Sequence, residues 1–402
     1  MTETRPFSIF RFVLLVSCTH AMVHLLEQSI ASVEQVVSTD FDLSMQQSGL
    51  LSTSFRISYG LGAVLAGMLA DRLGSQRVLG LYLAGSAVIC VSLVIAPWRS
   101  LLYPQLFLLG CFASMYHPAG LALLSKTLAP GDRVRALGMH GVFGSTGISS
   151  APFLAGIALS IPMVGWRGYY MFLAIGCSLL AFLVMTRLHS GTQGQQLSMS
   201  GQAPLARLHR FPFFALVLSS GTSGIVYGGY LHFLTRYLSE VDGIAAMFSS
   251  SADSRTTSAS YFAAIVLMSG AVGQWIAGRL AKPRHLAILL SLVYAGNAPF
   301  LWWMSFAEGW DRLTATCLMA FIHFMNQPLY NSLLPEYIPT AKRSTWFGFS
   351  NMMGFGLGAI GPFILGSFTD YRDAYAFLAV LSLIAAVFPL VVWFTSRSKS
   401  LS

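Results

Sequence analysis

Residues 46–97 read QQSGLLSTSFRISYGLGAVLAGMLADRLGSQRVLGLYLAGSAVICVSLVIAP, two apolar runs joined by a short charged link. Each run is long enough for a helix rising about 1.5 Å per residue to cross roughly 30 Å of hydrocarbon. In lipid a backbone amide has no water to bond, so runs of this kind are helices. The pattern repeats along the chain, and the predicted spans are 11–35, 46–70, 77–97, 101–126, 136–160, 167–188, 211–238, 259–281, 285–306, 312–335, 345–369 and 374–396. Of 402 residues, 55% are hydrophobic and only 10% charged, too few charges to cover soluble domains of that length. The sequence therefore predicts an all-α membrane protein with twelve transmembrane helices.

The net charge of +9 is spread singly or in small groups between the apolar segments, which argues against a nucleic-acid partner and for a topology signal. Arg99, Arg167, Arg255, Arg312 and Arg372 fall in alternate links, Arg56 and Arg236 fall inside spans, and the other seventeen of the 24 Lys and Arg residues share the remaining links and the termini. The positive-inside rule then places both termini in the cytoplasm. The first apolar run carries His20, His24 and Glu27, residues that a signal-peptide core avoids, so it is expected to be a retained helix. The five cysteines, Cys18, Cys90, Cys111, Cys177 and Cys317, all lie in apolar segments and form no CxxC pair. They predict neither a zinc site nor a disulfide framework.

The longest internal polar stretch, 189–210, is rich in Gly, Ser and Gln and reads as a flexible cytoplasmic linker. It divides the chain into a six-helix bundle over 1–188 and another over 211–402. A shift of 210 residues superposes parts of the two halves. Pro118 meets Pro328, Arg133 meets Arg343, Gly138 meets Gly348, Gly144 meets Gly354, Pro152 meets Pro362 and Gly156 meets Gly366. Hydrophobicity alone does not generate ordered Pro, Gly and Arg matches. Two pseudo-symmetric bundles of the same orientation are the arrangement in which secondary transporters rock around a central site.

Between the second and third spans stands Gly67-Met-Leu-Ala-Asp71-Arg72-Leu-Gly74-Ser-Gln-Arg77. It resembles the loop signature of the major facilitator superfamily, Gly-x-x-x-Asp-Arg-x-Gly-x-x-Arg, with each position filled. The resemblance implies a gate: Gly67 lets helices approach, Asp71 caps a neighbouring helix, and Arg72 and Arg77 pair with carboxylates across the seam between halves. The second-half counterpart, Gln274-Trp-Ile-Ala-Gly278-Arg279, lacks the Asp and is expected to gate more weakly. Ala151-Pro152-Phe-Leu-Ala155-Gly156 is a partial match to the family's helix-five antiporter element, with Pro152 and Gly156 as its hinge. Tyr116-His117-Pro118 and a first helix bearing histidines are similar to the fosmidomycin-resistance branch of drug exporters. Gly356-Leu-Gly358-Ala-Ile-Gly361 matches GxGxxG, but no strand precedes it, so close helix packing is the expected role. No phosphate-binding GxxxxGK[ST] occurs in the sequence.

Titratable side chains within spans are costly and face cavities or one another. His20, His24, Glu27 and Glu34 share one face of the first helix by their spacing. His20 and His24 lie mid-span with Arg56 and His117 at a similar depth, and Glu34 is expected close to the outer surface. Three readings of this group stand: proton coupling with substrate binding, a transition-metal site using helical i,i+4 histidines, and structural hydrogen bonding between helices. His140 is placed near the inner end of its helix. His232, Arg236, His323, Asn326, Gln327 and Asn331 are polar candidates of undetermined facing.

The expected function is secondary transport of a small organic solute by alternating access, proton-coupled, with export favoured. The alternatives are proton-coupled uptake of an organic anion and transport of a transition metal or its chelate through the first-helix face. No resident metal or cofactor and no enzymatic activity are expected. A His-rich membrane hydroxylase needs several His boxes, and a sensor needs a signalling domain or long tail. The expected partners are the substrate, protons and the bilayer of a bacterial inner membrane, with the chain acting as a monomer.

Overall fold

Apolar runs punctuated by Pro, Gly and charge give a stack of long helices, several of them broken in mid-membrane. The computed structural model describes residues 9–95, 98–128, 130–161, 163–188, 207–241, 253–339 and 343–398. Twelve membrane-crossing units follow in order. The first half comprises α1 (Ile9–Glu27 continued by Ser29–Asp40), α2 (Met45–Leu73), α3 (Ser75–Ile95), α4 (Arg99–Ala113 and Tyr116–Thr127), α5 (Pro130–Ser160) and α6 (Gly165–Arg187). The second comprises α7 (Arg210–His232 and Leu234–Ser239), α8 (Asp253–Leu280), α9 (Leu286–Met304), α10 (Trp310–His323 and Asn326–Leu333), α11 (Arg343–Gly358 and Ile360–Leu365) and α12 (Tyr371–Ser398).

Among the described residues, ten of these units are long and apolar enough to span a bilayer by composition. The other two, α2 and α10, carry the polar residues of the seam and the cavity. The capping box of α2, in which Ser44 and Gln47 exchange side-chain and backbone bonds, fixes where that helix begins. Gly74 ends it with φ of 86°, a conformation that disfavours other residues. The breaks in α4 and α10 fall at Ser114–Met115 and Phe324–Met325, positions related by the same shift of 210. Gly67 lies against Pro118 of α4, and Gly278 lies against Pro328 of α10, so the packing repeats with the sequence.

Buried apolar side chains form one core from residues 13–188 and two from the second half, the first joined by Ile148. Buried tyrosines tie helices together through carbonyl acceptors: Tyr82 to Thr19, Tyr230 to Thr316 and Tyr237 to Met304. This satisfies the hydroxyl while the ring fills the core. The glycines of the GxGxxG stretch pack α11 on α7. Gly358 abuts Gly224, and Gly361 abuts Ile225 and Gly229, as small residues allow in lipid.

Helix ends differ from the predicted spans. The first helix runs to Asp40 rather than 35, α5 begins at Pro130 rather than 136, and α8 begins at Asp253 rather than 259. Hydropathy marks only the apolar portions of these helices, and the helices outrun them. Most of the expected linker, residues 189–206, lies outside the described residues.

Candidate transport cavity and its outer seam

A cavity of about 450 Å³ lies where the halves meet. Its first-half wall is built by His20, His24 and Glu27 of α1, Arg56 of α2, His117 of α4 and His140 of α5. The 4- and 7-residue spacings on α1 do stack its three groups on one face. The expected site residues come together here, and all five of them, His20, His24, Glu27, Arg56 and His117, line the same space.

The hydrogen bonds run as a chain. His20 Nδ1 lies 2.7 Å from the carbonyl oxygen of His140, which can only accept, so this nitrogen carries a proton. His20 Nε2 faces His24 Nε2 at 3.2 Å, and His24 Nδ1 meets Glu27 Oε2 at 2.9 Å. Arg56 Nη1 stands 3.5 Å from Glu27 Oε1. Neither Arg56 Nε nor Glu27 Oε1 has a hydrogen-bond partner, and the Tyr59 hydroxyl lacks one too. His117 is set edge-on to both α1 histidines, at 5.4 and 5.6 Å between centroids. The nitrogens that His20, His24 and His117 offer lie within 4.8 Å of one another.

His140 was not expected in this group. Its ring stacks on His20 at 3.7 Å, and its Nε2 donates to Tyr116 Oη at 2.9 Å while that hydroxyl donates to the Val16 carbonyl. The signal lost was the start of α5. A helix that begins six residues earlier carries His140 about 15 Å from its inner end at ~1.5 Å per residue.

The second-half wall differs in kind. Gln274, Asn326, Gln327, Asn331 and Asn351 present amides to the cavity, and Gln274 bridges the halves by accepting from Ser145 Oγ at 2.7 Å while donating to Gln327 at 2.6 Å. Tyr227 covers the Arg56 guanidinium at 5.3 Å and stacks on His323, whose Nδ1 meets Asn297 Nδ2 at 3.0 Å. One wall carries charge and the other carries neutral hydrogen-bonding groups.

Outside the cavity the halves close on each other. Arg236 of α7 makes two parallel bonds to Glu34 of α1, both 2.8 Å. Ser48 donates to the same carboxylate at 2.7 Å and contacts His232 Nε2 at 3.1 Å. Glu34 is 1% exposed, so the expectation of a near-surface carboxylate is corrected. The helix continues past it to Asp40, and α2 and α7 cover it. Gln46 bonds Ser367, Thr53 bonds the Ala359 carbonyl and Thr256 bonds Gln35. Gly49 abuts Pro362, and Gly366 abuts Met45. His232 and Arg236 therefore belong to the outer seam, while His323, Asn326, Gln327 and Asn331 belong to the cavity.

The inner side has no such seal among the described residues. Asp71, Arg72 and Arg77 are exposed, and among the described residues none of them has an ion-pair partner across the seam. The contacts at Glu34, Ser48 and Arg236 thus shut the outer seam. Pro152 sits inside an unbroken α5, whereas the helix break of this pair falls in α11, near Pro362. Gly156 packs against the Tyr261 ring of α8.

The Major Facilitator Superfamily profile matches residues 16–362. The chain is similar to a putative metabolite transport protein of Haemophilus influenzae, 26% identical over 88% of this chain and 86% of the relative. It is also similar to the fosmidomycin resistance protein of Escherichia coli, 21% identical over 96% and 95% of the two chains. Its fold matches the inward-open conformation of the xylose transporter XylE from E. coli, with a TM-score of 0.78 at 13% identity and 95% coverage of each chain. On the profile match together with the loop signature at Gly67–Arg77, this chain belongs to the major facilitator superfamily and is a multi-pass membrane transporter of small solutes.

Proposed function

We propose that this chain is a proton-coupled transporter of a small organic solute, working by alternating access as a monomer in a bacterial inner membrane, with export as its direction. The observation that carries the reading is a cavity between the halves whose one wall joins His20, His24, Glu27 and Arg56 in a single buried chain of contacts. Proton coupling needs a group that exchanges a proton while facing each side in turn, and imidazole and carboxylate groups lining an alternating cavity meet that need. Export is favoured by the resistance function named for the E. coli relative. The halves 1–188 and 211–402 act as the two moving bodies, joined by the cytoplasmic 189–210 linker. Asp71, Arg72 and Arg77 close the inner rim in the outward-facing state, with Gly67 and Gly74 shaping that loop, and Pro152 and Gly156 serve as a hinge in α5.

The test compares proton-gradient-driven flux with gradient-free exchange in vesicles, using a substrate found by thermal-shift screening of the purified protein. Glu27→Gln and His20→Gln are expected to abolish driven flux and to retain exchange. Parent-like driven flux in both variants, with all activity lost only on removing Arg56, would make Arg56 the substrate anchor and end the coupling assignment.

A further inference from the structure

We infer that His20 and His24 hold one proton between their Nε2 atoms, and that this proton and Arg56 together seat a small organic anion in the cavity. The inference rests on the transport reading above and goes further, to the proton count and the substrate class.

The argument is one of donors and acceptors. Three polar gaps line up: His140 carbonyl to His20 Nδ1, His20 Nε2 to His24 Nε2, and His24 Nδ1 to Glu27 Oε2, at 2.7, 3.2 and 2.9 Å. Each gap needs one proton to be a hydrogen bond. Two neutral imidazoles and an ionised carboxylate carry only two. The carbonyl claims one, and the Glu27–His24 contact claims the other. Both remaining Nε2 lone pairs then point at each other in a buried site, an arrangement that repels rather than binds. A third proton removes the conflict. It resides on the imidazole pair, or on Glu27 with His24 turned to its other tautomer, and the charge of the group is the same either way. His140 is excluded as its source, because its Nε2 hydrogen is committed to Tyr116.

The charge count follows. Without the third proton, Glu27 and Arg56 cancel and the wall is neutral; with it, the wall carries one positive charge. The other groups that face the pair are Tyr59 from α2, Tyr116 and His117 from α4, His140 from α5 and, over Arg56, Tyr227 from α7. None supplies a fixed negative charge. Arg56 also has capacity to spare, since its Nε has no acceptor and its contact with Glu27 is long. A buried cationic wall with an unfilled guanidinium donor takes an anion. The amides of the opposite wall then read the neutral hydroxyl or amide groups of the same molecule. An anion entering the unprotonated cavity would bring an uncompensated charge into low dielectric, so proton and anion bind cooperatively, each tightening the other by the same factor.

The proton is tested first and without any substrate, by 15N-histidine NMR of the full-length protein in lipid nanodiscs, with His20→Gln and His24→Gln for assignment. The expected result is a coupled Nε2–H–Nε2 pair with both Nδ1 atoms protonated, or the equivalent pattern with a protonated Glu27. Two isolated neutral rings, or stoichiometric Zn²⁺ binding to the proton-free pair below micromolar concentration, overturn it. The anion is tested by stabilisation of the parent with a panel of carboxylates, sulfonates and phosphonates against neutral compounds of equal size. Anions are expected to stabilise, with Kd weakening tenfold per pH unit once the proton is lost, and His24→Gln is expected to flatten that slope. Stabilisation by neutral compounds only, or by none of the panel, overturns the substrate class. A shared proton seen by NMR without proton-driven flux would refute the coupling reading and leave this inference standing; the reverse outcome would do the opposite.

Discussion

Arg236→Met is the perturbation that tests the outer seam most sharply. The substitution keeps much of the side-chain volume and removes both bonds to Glu34, leaving a carboxylate whose side chain is fully buried (0% exposed) with Ser48 as its remaining donor. Removing one partner of a buried ion pair costs about 3–5 kcal/mol. The Arg236 side chain is 21% exposed, so solvent screens part of the pair and the lower end, ~3 kcal/mol, applies. That cost falls only on the conformation with the outer seam shut, because opening it hydrates Glu34. A shift of ~3 kcal/mol changes the ratio of the two conformations on the order of 10²-fold. Spin labels at Thr39 and Thr369, both exposed at outer helix ends in opposite halves, report the opening by pulsed electron resonance in a background lacking the five native cysteines. The expected result is a longer outer distance in Arg236→Met, and a return towards the parent when Glu34→Gln is added. An outer distance unchanged from the parent would refute the reasoning that this pair holds the seam closed.

Further outcomes follow from other parts of the molecule. Asp71→Asn should express normally and lose transport, since weakening the inner rim shifts the conformational balance by about 1–3 kcal/mol; normal transport in vesicles would remove Asp71 from the gate. Gly224→Val should lower Tm, because a side chain there meets the Gly354 carbonyl and Gly358 of α11 and overpacking costs about 1–3 kcal/mol; an unchanged melting curve would contradict the close α7–α11 contact. His140→Phe should cost roughly 1 kcal/mol in stability through the lost Tyr116 bond while keeping substrate affinity within a few-fold, since His20 is held by the backbone carbonyl at that position. Glu308→Cys should react with an impermeant thiol reagent applied outside and Lys282→Cys should not; the opposite pattern would reverse the topology.

Much of this was legible in the sequence. Residues 46–97 give the helix class, the Lys and Arg distribution gives the orientation, and the 210-residue shift foretells matched breaks in α4 and α10. The cavity wall was partly legible because His20, His24 and Glu27 are close in sequence on one helix, so helical geometry alone groups them. Arg56 and His117 joined by depth alone. What stayed hidden depended on where helices end and which way they turn. His140 looked peripheral because the first residues of α5, Pro130 to Arg135, are too polar to read as span. Glu34 looked near-surface because hydropathy stops short of Asp40, and its partner lies 202 residues away on α7. No spacing rule reports a contact of that range.

The unequal walls of the cavity bear on how such a protein changes over generations. Each half repeats the other's backbone, yet ionisable groups are concentrated on one side and amides on the other. A duplicated scaffold has become unequal: one copy holds the charged groups of the cavity, and the second lines it with neutral amides. Replacing Asn326, Asn331 or Asn351 with another uncharged residue leaves the charge balance at Glu27 and Arg56 intact. On the proposed coupling role of the first-half wall, new cargo specificities are reachable by single steps in the second copy, without passing through ancestors that have lost their energy supply.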